Sequence, residues 1–220
     1  MIVCQLSDMH IRAPGSRAYG RVDTNAFFAA AAEQLAALNP RPDAFVLTGD
    51  LTDFGRADEY ATLARAIDRL DRPAYLVPGN HDERGSLRRA FPGHRHLQGP
   101  EPFIQYRVDL GGLALVVLDT VVPEHGHGAL DAERLAWLRD HLDDHTPTVI
   151  AMHHPPFVTG IAHMDRLGLL TGAAELEALL EGHRNIERVI CGHLHRSIQV
   201  RFAHTFASTC PSPAHAVTLD

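Results

Sequence analysis

The sequence predicts an α/β (α+β) fold in which mixed β-sheets are flanked by helices. In the first half of the chain, short apolar segments typical of strands alternate with longer segments typical of helices. In the second half, two strand patterns lie on either side of Gly111-Gly112, which is a hairpin signal. The chain has 220 residues and shows no internal repeat, low-complexity run or linker. We therefore expect one domain that spans residues 1–220.

The first half contains three strand patterns, each followed by a helix pattern. The strand patterns cover residues 2–6, 44–47 and 74–77. We expect the first helix to begin near Asp23 or Thr24, because an alanine-rich body follows, and to end before Pro40. The second helix is predicted at about 57–70, and a short third helix starts near Ser86.

The second half combines further strand patterns with two helices. The strand patterns cover residues 103–109, 113–119, 148–152, 189–191, 197–202, 205–207 and 214–219. Asp131 is expected to cap a helix that runs to about Leu142, and another helix is predicted at 173–180. Residues 157–171 are predicted to form a long loop.

Composition excludes several classes of partner. The net charge is −7 and no run of Lys or Arg is visible, which argues against binding of nucleic acid polymers or anionic membranes. A single phosphate ester stays compatible with this charge, because a bound metal can invert the local electrostatics. No stretch approaches the roughly 20 apolar residues of a membrane span, and the amino terminus has no signal-peptide pattern. Cys4, Cys191 and Cys210 form no C-x-x-C pair, which favours a reducing cytoplasm.

Five of the apolar strand patterns are followed directly by residues of the types that commonly bind metals. These residues are Asp8 and His10; Asp50; Asn80, His81 and Asp82; His153 and His154; and His193 and His195. Each group alone has an ordinary explanation, such as a helix cap, a turn or exposed histidines. Ligand sites in α/β folds lie at the carboxyl ends of strands, so five such groups together indicate one shared site.

The donor set contains carboxylate and amide oxygens and imidazole nitrogens, without thiolates. Such a set suits Fe, Mn, Zn, Co or Ni rather than Cu(I) or an iron–sulfur cluster. The candidate metal ligands are Asp8, His10, Asp50, Asn80, His153, His193 and His195. Seven donors are too many for one tetrahedral ion, and they suit two ions that share a bridging carboxylate. We therefore expect two divalent metal ions, with Fe, Mn, Zn or Co as the candidates.

The same residues resemble the signature of a known family. Asp8-x-His10, Gly49-Asp50, Gly79-Asn80-His81-Asp82, His153 and Gly192-His193-x-His195 resemble, in order, the motifs of the calcineurin-like metallophosphoesterases. Shorter features resemble the bacterial branch of class III cyclic nucleotide phosphodiesterases and glycerophosphodiesterases; they are Leu51-Thr52-Asp53-Phe54-Gly55, His153-His154-Pro155-Pro156 and Met164-Asp165. The resemblance implies a four-layer αββα sandwich of two mixed β-sheets flanked by helices.

The resemblance also implies a role for each residue. One ion would be held by Asp8, His10, Asp50 and His195, and the other by Asp50, Asn80, His153 and His193. His81 would lie near the leaving oxygen as a general acid or hydrogen-bond donor, and Asp82 would fix its tautomer. Asn80, His81 and His154 are the expected substrate contacts. Asp53 either supports this site or belongs to a turn.

The expected reaction is the hydrolysis of a small phosphodiester, such as 3',5'-cAMP or a glycerophosphodiester. A water that bridges two cations loses a proton readily, and the resulting hydroxide would attack phosphorus in line. Three alternatives use the same metal core: a phosphomonoesterase, a protein phosphatase and a nucleotide pyrophosphatase. A non-catalytic scaffold is a further alternative, although we would expect it to have lost ligand residues. Whether the protein forms a homodimer or a larger homo-oligomer stays open.

Overall fold

The computed structural model describes residues 1–100 and 102–219, in which strands and helices follow one another largely as predicted. The strands are β1 (Val3–Leu6), β2 (Ala44–Thr48), β3 (Ala74–Val77), β4 (Tyr106–Asp109), β5 (Ala114–Val117), β6 (Gly128–Ala129), β7 (Thr148–Ala151), β8 (Leu169–Thr171), β9 (Ile186–Cys191), β10 (Ile198–Phe202) and β11 (Thr205–Thr209). The α-helices are α1 (Thr24–Ala36), α2 (Ala57–Ile67), α3 (Arg84–Ala90), α4 (Ala132–His141), α5 (Ala162–Asp165) and α6 (Ala173–Glu181).

Helix boundaries follow from local chemistry. Asp23 caps α1 by accepting a hydrogen bond from the amide of Ala26 at 3.0 Å, and Asp131 caps α4 in the same way. The predicted second helix is longer than α2, because its last turn, Asp68–Leu70, is a 3₁₀ helix. None of the helices in the described part of the chain has both the length and the apolar character required to cross a membrane.

The strands form two main sheets and one small pair. The first sheet has the order β1-β2-β3 and is parallel in all its described pairs. The second sheet has the order β10-β11-β9-β7-β5-β4, with antiparallel pairs at both edges and parallel pairs in the middle. β6 and β8 form the small parallel pair. Mixed pairing is therefore confined to the six-stranded sheet.

The second sheet separates two apolar cores, and this gives the layer order. Along β5 and into the residue after it, Leu115 and Val117 face one core, which also contains residues of β1, β2, β3 and helices α1 to α3. Val116 and Leu118 face the other core, together with α4 and α6. Successive side chains of a strand point to opposite faces, and burying each such side chain contributes about 1.5–3 kcal/mol. The layers are helices, sheet, sheet and helices, so the predicted fold class is confirmed.

Polar contacts also join the two main sheets. Gln5 of β1 donates to the carbonyl oxygen of Cys191 at the end of β9, at 2.8 Å. Tyr106 of β4 donates its hydroxyl to the carbonyl oxygen of Leu76 in β3, at 2.9 Å. Both acceptors are backbone groups at fixed positions in a strand. These bonds fix how the strand ends of one sheet lie against those of the other.

Two parts of the secondary-structure prediction are wrong. Residues 214–219 were expected to form a strand but have no strand partner, because their backbone carbonyls at His215 and Val217 bind the side chains of His195 and Arg196. The expected loop 157–171 contains α5 and β8. Elements this short are stabilised by tertiary contacts, and a local sequence pattern gives little sign of them.

Candidate metal centre

The seven candidate ligands follow the carboxyl ends of five strands, and the structure brings them together. The strands are β1, β2 and β3 of the first sheet and β7 and β9 of the second sheet. The ligands that follow them, in chain order, are Asp8, His10, Asp50, Asn80, His153, His193 and His195. Both sheets run parallel at these strands, so all five ends lie at one edge of the molecule.

Five of these residues have a backbone conformation that L-amino acids rarely adopt. Their positive φ angles are 55° for Asp8, 44° for His10, 47° for Asp50, 72° for His193 and 52° for His195. Each such residue costs about 1–3 kcal/mol, so the surrounding structure has to hold it in place. A concentration of this strain in one cluster is typical of a functional site.

Two motif glycines are required because the strand ends approach each other closely. A Cβ atom on Gly49 would lie 2.3 Å from Nδ1 of His153, and Gly49 also has a φ of +94°. A Cβ atom on Gly192 would lie 2.1 Å from Oγ of Ser7 and 2.5 Å from the carbonyl oxygen of Thr48. Glycine at these two positions lets the two sheets meet directly beneath the ligands.

The first donor group consists of Asp8, His10, Asp50 and His195, and its four donor atoms lie within 4.8 Å of one another. Nε2 of His10 is 3.6 Å from Oδ2 of Asp50 and 3.2 Å from Nε2 of His195. Nε2 of His195 is also 3.5 Å from Oδ1 of Asp8. All four residues are buried.

The second donor group consists of Asp50, Asn80, His153 and His193. Nε2 of His153 is 3.4 Å from Oδ1 of Asp50 and 3.1 Å from Oδ1 of Asn80. Nδ1 of His193 is 3.1 Å from the same amide oxygen and 3.2 Å from Nε2 of His153. Asp50 therefore turns one oxygen to each group, which is the position of a bridging ligand.

The spacing and protonation of these donors fit divalent cations. Ligands bound at 2.0–2.2 Å to one tetrahedral ion lie about 3.4 Å from each other, close to the 3.1–3.6 Å separations observed. Burial lowers the pKa of His193 to about 3 and that of His195 to about 4. Both imidazoles are therefore neutral at pH 7 and have a lone pair available for a cation.

His153 and Asp50 form a buried pair of opposite charge. Burial alone would raise the pKa of Asp50, but the charge and hydrogen bond of His153 outweigh it and lower that pKa well below the usual value. Burial would also lower the pKa of His153, and the Asp50 carboxylate instead raises it to about 9. The buried carboxylate thus has a positive partner here. A cation in the site would take over that role.

Three histidine ligands are oriented through their second ring nitrogen. Nδ1 of His153 donates to the carbonyl oxygen of Thr48 at 2.8 Å. Nδ1 of His195 lies 3.2 Å from the carbonyl oxygen of His215. Nδ1 of His10 lies 3.2 Å from the Asp53 carboxylate. In each case the Nε2 atom is left to face the donor group, as in most histidine metal sites.

Asp53 supports the site rather than only forming a turn. Besides binding His10, its carboxylate accepts a hydrogen bond from Arg12 at 2.6 Å, and it is 7% exposed. Its main-chain carbonyl oxygen lies 2.8 Å from Nδ1 of His81. One residue therefore orients both a candidate ligand and the candidate general acid. The short spacing from Asp50 to Asp53 was the only sign of this in the sequence.

The expectation for Asp82 is wrong. Its carboxylate does not contact the His81 imidazole; it accepts hydrogen bonds from the amides of Leu51, Thr52 and Gly79 at 2.9–3.2 Å and from the hydroxyl of Tyr60 at 3.0 Å. Consecutive side chains in this turn point in different directions, so adjacency in the chain gave no contact. Asp82 ties the ends of β2 and β3 together.

The expected substrate contact of His154 is also not found. The residue is fully buried, and its Nδ1 lies 2.8 Å from Oγ1 of Thr120. Its Nε2 lies 3.2 Å from the carbonyl oxygen of Gly126. Both ring nitrogens are therefore used inside the protein. His154 packs behind His153 and His193, with ring centroids 4.8 and 4.7 Å away.

A cavity of about 370 Å³ opens over the two donor groups. Its lining residues are His10, Tyr19, Asp50, Asn80, His81, Met164, Leu167, His193, His195, His215, Ala216 and Val217. Asn80 and His81 thus face the cavity as expected of substrate contacts. Sequence reasoning missed Tyr19 and His215, because both lie outside the motifs and reach the cavity only through the tertiary fold.

Comparison with family models gives a match to "Calcineurin-like phosphoesterase" over residues 1–197. The chain belongs to the calcineurin-like phosphoesterase family. The matched range includes all seven candidate ligands. The family and the two donor groups support a pair of divalent metal ions in this phosphoesterase.

Relatives of this phosphoesterase include two named phosphodiesterases. It is 33% identical to a probable glycerophosphodiester phosphodiesterase of Arcobacter nitrofigilis, over 100% of this chain and 81% of the relative. It is also 33% identical to a probable cyclic nucleotide phosphodiesterase of Rhodococcus erythropolis, over 98% of this chain and 71% of the relative. Among solved structures, a dimetal phosphatase from Danio rerio superposes with a TM-score of 0.74 at 17% identity, covering 96% and 87% of the two chains. That structure supports the fold.

Proposed function

We propose that this phosphoesterase hydrolyses small phosphodiesters with the help of two divalent cations. Support comes from the cavity directly over the two donor groups and from its relatives, which are named as probable glycerophosphodiester and cyclic nucleotide phosphodiesterases. We also propose that residues 1–220 act as one catalytic domain, because side chains between His10 and Val217 line this one cavity. Free thiols at Cys4, Cys191 and Cys210 favour a cytoplasmic location.

The two donor groups would hold the cations in distinct positions. One cation belongs with Asp8, His10, Asp50 and His195, and the other with Asp50, Asn80, His153 and His193. When bound, the pair would activate water and offset the negative charge of the phosphoryl group. The mixed oxygen and nitrogen donors favour Fe, Mn, Zn or Co.

His81 is proposed as the general acid of the reaction. Because a carbonyl oxygen can only accept, the contact with Asp53 places a proton on Nδ1 of His81 and directs Nε2 to the cavity. The His81 side chain is 37% exposed, so Nε2 is accessible from the cavity. In the imidazolium form, which has a proton on both nitrogens, it can donate the Nε2 proton to the departing alkoxide or a hydrogen bond to a phosphoryl oxygen.

We expect the charge of the cavity wall to favour diesters over monoesters. Among the described residues that line the cavity, none is Lys or Arg. A diester has one negative charge, whereas a monoester has close to two at pH 7, and the second charge would have no cationic side chain nearby. The lining also includes the apolar side chains of Met164, Leu167 and Val217, which suit the second, carbon-rich ester group of a diester.

A direct assay tests this proposal. The protein would be loaded with Mn²⁺ and assayed with bis-p-nitrophenyl phosphate and with p-nitrophenyl phosphate at pH 7.5. We expect the larger kcat/KM for the diester, and turnover of 3',5'-cAMP or a glycerophosphodiester. A larger kcat/KM for the monoester would overturn the diester assignment. Hydrolysis that persists unchanged in Asp50→Asn would overturn the role of the two cations.

A further inference from the structure

The C-terminal segment, residues 211–217, forms one wall of the candidate site. His215, Ala216 and Val217 all line the cavity. The far end of the segment is fixed by Arg196, whose Nε donates to the carbonyl oxygen of Val217 at 2.5 Å. The segment has no strand partner among the described residues, so side-chain hydrogen bonds hold it against the site.

Ser212 organises the beginning of this segment. Its hydroxyl donates to the carbonyl oxygen of Asp8 at 2.8 Å. The hydroxyl oxygen of Ser212 in turn accepts hydrogen bonds from the amides of Ala214 at 3.1 Å and His215 at 3.4 Å. This local turn, in which a serine hydroxyl binds amides two and three residues ahead, sets the path of the chain through His215.

The turn determines where the carbonyl oxygen of His215 lies. That oxygen is 3.2 Å from Nδ1 of His195, which leaves Nε2 of His195 3.5 Å from Oδ1 of Asp8. Ser212 is thus bonded directly to the backbone of one ligand of the first donor group and acts, through His215, on the imidazole of another. Asp8 and His195 both have strained positive φ angles, so they depend on such contacts to stay in place.

The second donor group has no comparable link to the segment. His153 is oriented by the carbonyl oxygen of Thr48 in β2, and the Asp50 carboxylate accepts a hydrogen bond from the amide of His81 at 3.0 Å. These supports come from the first sheet and its turns. The influence of Ser212 therefore reaches the first donor group directly. It reaches the second only indirectly, through the Asp8 carboxylate that accepts a hydrogen bond from the His193 amide at 3.0 Å.

We propose that Ser212 is a positioning residue that holds the C-terminal segment against the first donor group and thereby fixes two of its ligands, Asp8 and His195. This inference rests on the proposed function, since it takes the first donor group to bind a cation. Partners that orient metal ligands from outside the coordination sphere contribute about 10–100-fold to metal affinity. Loss of the Ser212 hydroxyl should weaken binding of the first cation by this factor and affect binding of the second much less.

The test measures Mn²⁺ binding by isothermal titration calorimetry on the full chain, without an activity assay. His193→Ala removes a donor of the second group only, so the remaining binding step reports the first group. In this background, Ser212→Ala should lower the affinity for Mn²⁺ about 10–100-fold. Ser212→Thr keeps a hydroxyl and should therefore retain most of the affinity. In a His10→Ala background, Ser212→Ala should weaken the remaining Mn²⁺-binding step much less than it does in the His193→Ala background. Ser208→Ala, the same change on β11, is the matched control and should have no effect.

Several results would overturn the inference. One is equal Mn²⁺ affinity of Ser212→Ala and the parent in the His193→Ala background. Another is equal weakening in both backgrounds with a lowered Tm of the metal-free protein, which would indicate general destabilisation. Selective weakening that Ser212→Thr does not restore would assign the effect to side-chain volume and exclude the hydroxyl. Absence of Mn²⁺ binding by the unsubstituted protein would instead overturn the proposed function itself.

Discussion

The two ring nitrogens of His81 differ in their surroundings: Nδ1 is hydrogen-bonded within the protein, whereas Nε2 faces the cavity. Nδ1 binds the main-chain carbonyl oxygen of Asp53 at 2.8 Å, and the ring packs edge-on against His10 with centroids 4.7 Å apart. A main-chain acceptor is independent of the side chain at position 53. The Asp53 carboxylate that supports His10 is farther from Nδ1 of His81, at 3.9 Å, so the main-chain carbonyl is the closer contact.

This arrangement gives a prediction for His81→Ala. Because we propose His81 as a general acid and not as a ligand, the variant should bind two Mn²⁺ ions as the parent does, while kcat falls about 10²–10⁴-fold. Metal content by mass spectrometry and steady-state kinetics with bis-p-nitrophenyl phosphate check both parts. Asp53→Asn is the control: it keeps the main-chain carbonyl and should disturb the His10 ligand more than the acid. Equal loss of metal and turnover in His81→Ala would show that His81 is a ligand.

At the residue scale, the sequence was informative where the side chain itself carries the chemistry. Asp50 and His193 could be identified because their type and position after a strand are visible in the sequence. The partners of these residues could not be identified, since a hydrogen bond depends on direction. Asp82 and His154 stand next to important residues and yet point away from the cavity. His215 was missed because it reaches the site through a segment without any motif.

At the scale of elements, the end of β9 meets the ends of β1 and β2 without space for a side chain. Gly192 follows β9, and its α-carbon lies close to Ser7 and Thr48 of the first sheet. The contact involves a main-chain carbonyl, which cannot move without disturbing β2. The ligands His193 and Asp8 flank this contact, and the amide of His193 donates to the Asp8 carboxylate at 3.0 Å.

We predict that Gly192→Ala destabilises the fold and the site together. The added Cβ would lie 2.1 Å from Ser7 and 2.5 Å from the Thr48 carbonyl, and relieving such overlap costs about 1–3 kcal/mol. The free energy of unfolding in urea, measured on metal-free protein, checks this value. Gly93→Ala is the matched control, because Gly93 has open space and no positive φ. Similar stability of the two variants would contradict the close contact.

A 3₁₀ turn, Arg95–Gln98, carries a histidine whose titration should affect stability. His96 packs against Tyr106 and Tyr75, with ring centroids 4.5 and 5.3 Å apart, and its Nε2 has no partner among the described residues. Burial, with a smaller contribution from neighbouring His94, lowers the pKa of His96 to about 4. The unfolded chain therefore binds more protons between pH 6.5 and pH 4, so acid favours unfolding in this window.

His96→Phe tests this turn, since Phe fills a similar volume and cannot be protonated. Between pH 7.5 and pH 5 the parent should lose about 1–2 kcal/mol more of its free energy of unfolding than the variant does. Urea denaturation at the two pH values gives the difference, and groups that titrate in both proteins cancel. The same loss in parent and variant would show that His96 does not titrate in this range.

Elements with a strong local pattern were predictable, and elements without one were not. Strands β1, β2, β3 and β7 and helices α1, α2 and α4 have apolar patterns or caps that are strong enough to stand alone. β6 has two residues and α5 has four, and both depend on their tertiary surroundings. The failed strand at 214–219 shows the converse. An apolar pattern was present, but the side chains of His195 and Arg196 bind two of its carbonyl groups.

At the scale of the whole molecule, the candidate site joins the two sheets. Asp8, Asp50 and Asn80 follow strands of the first sheet, whereas His153 and His193 follow strands of the second. Each donor group contains members from both sheets. Cations bound there would cross-link the two halves of the sandwich, so their binding free energy would add to the stability of the fold.

We therefore expect metal binding and unfolding to be coupled. At a free Mn²⁺ concentration 100 times the Kd, each ion bound only by the folded state adds about 2.7 kcal/mol to the free energy of unfolding. Differential scanning calorimetry in EDTA and in rising Mn²⁺ should show a Tm that climbs with metal concentration. In Asp50→Asn the shared carboxylate is lost, so occupancy of both sites should weaken and most of this gain should disappear. A variant that keeps the full Mn²⁺-dependent rise in Tm would contradict a bridging role for Asp50, because each donor group would then hold its cation without it.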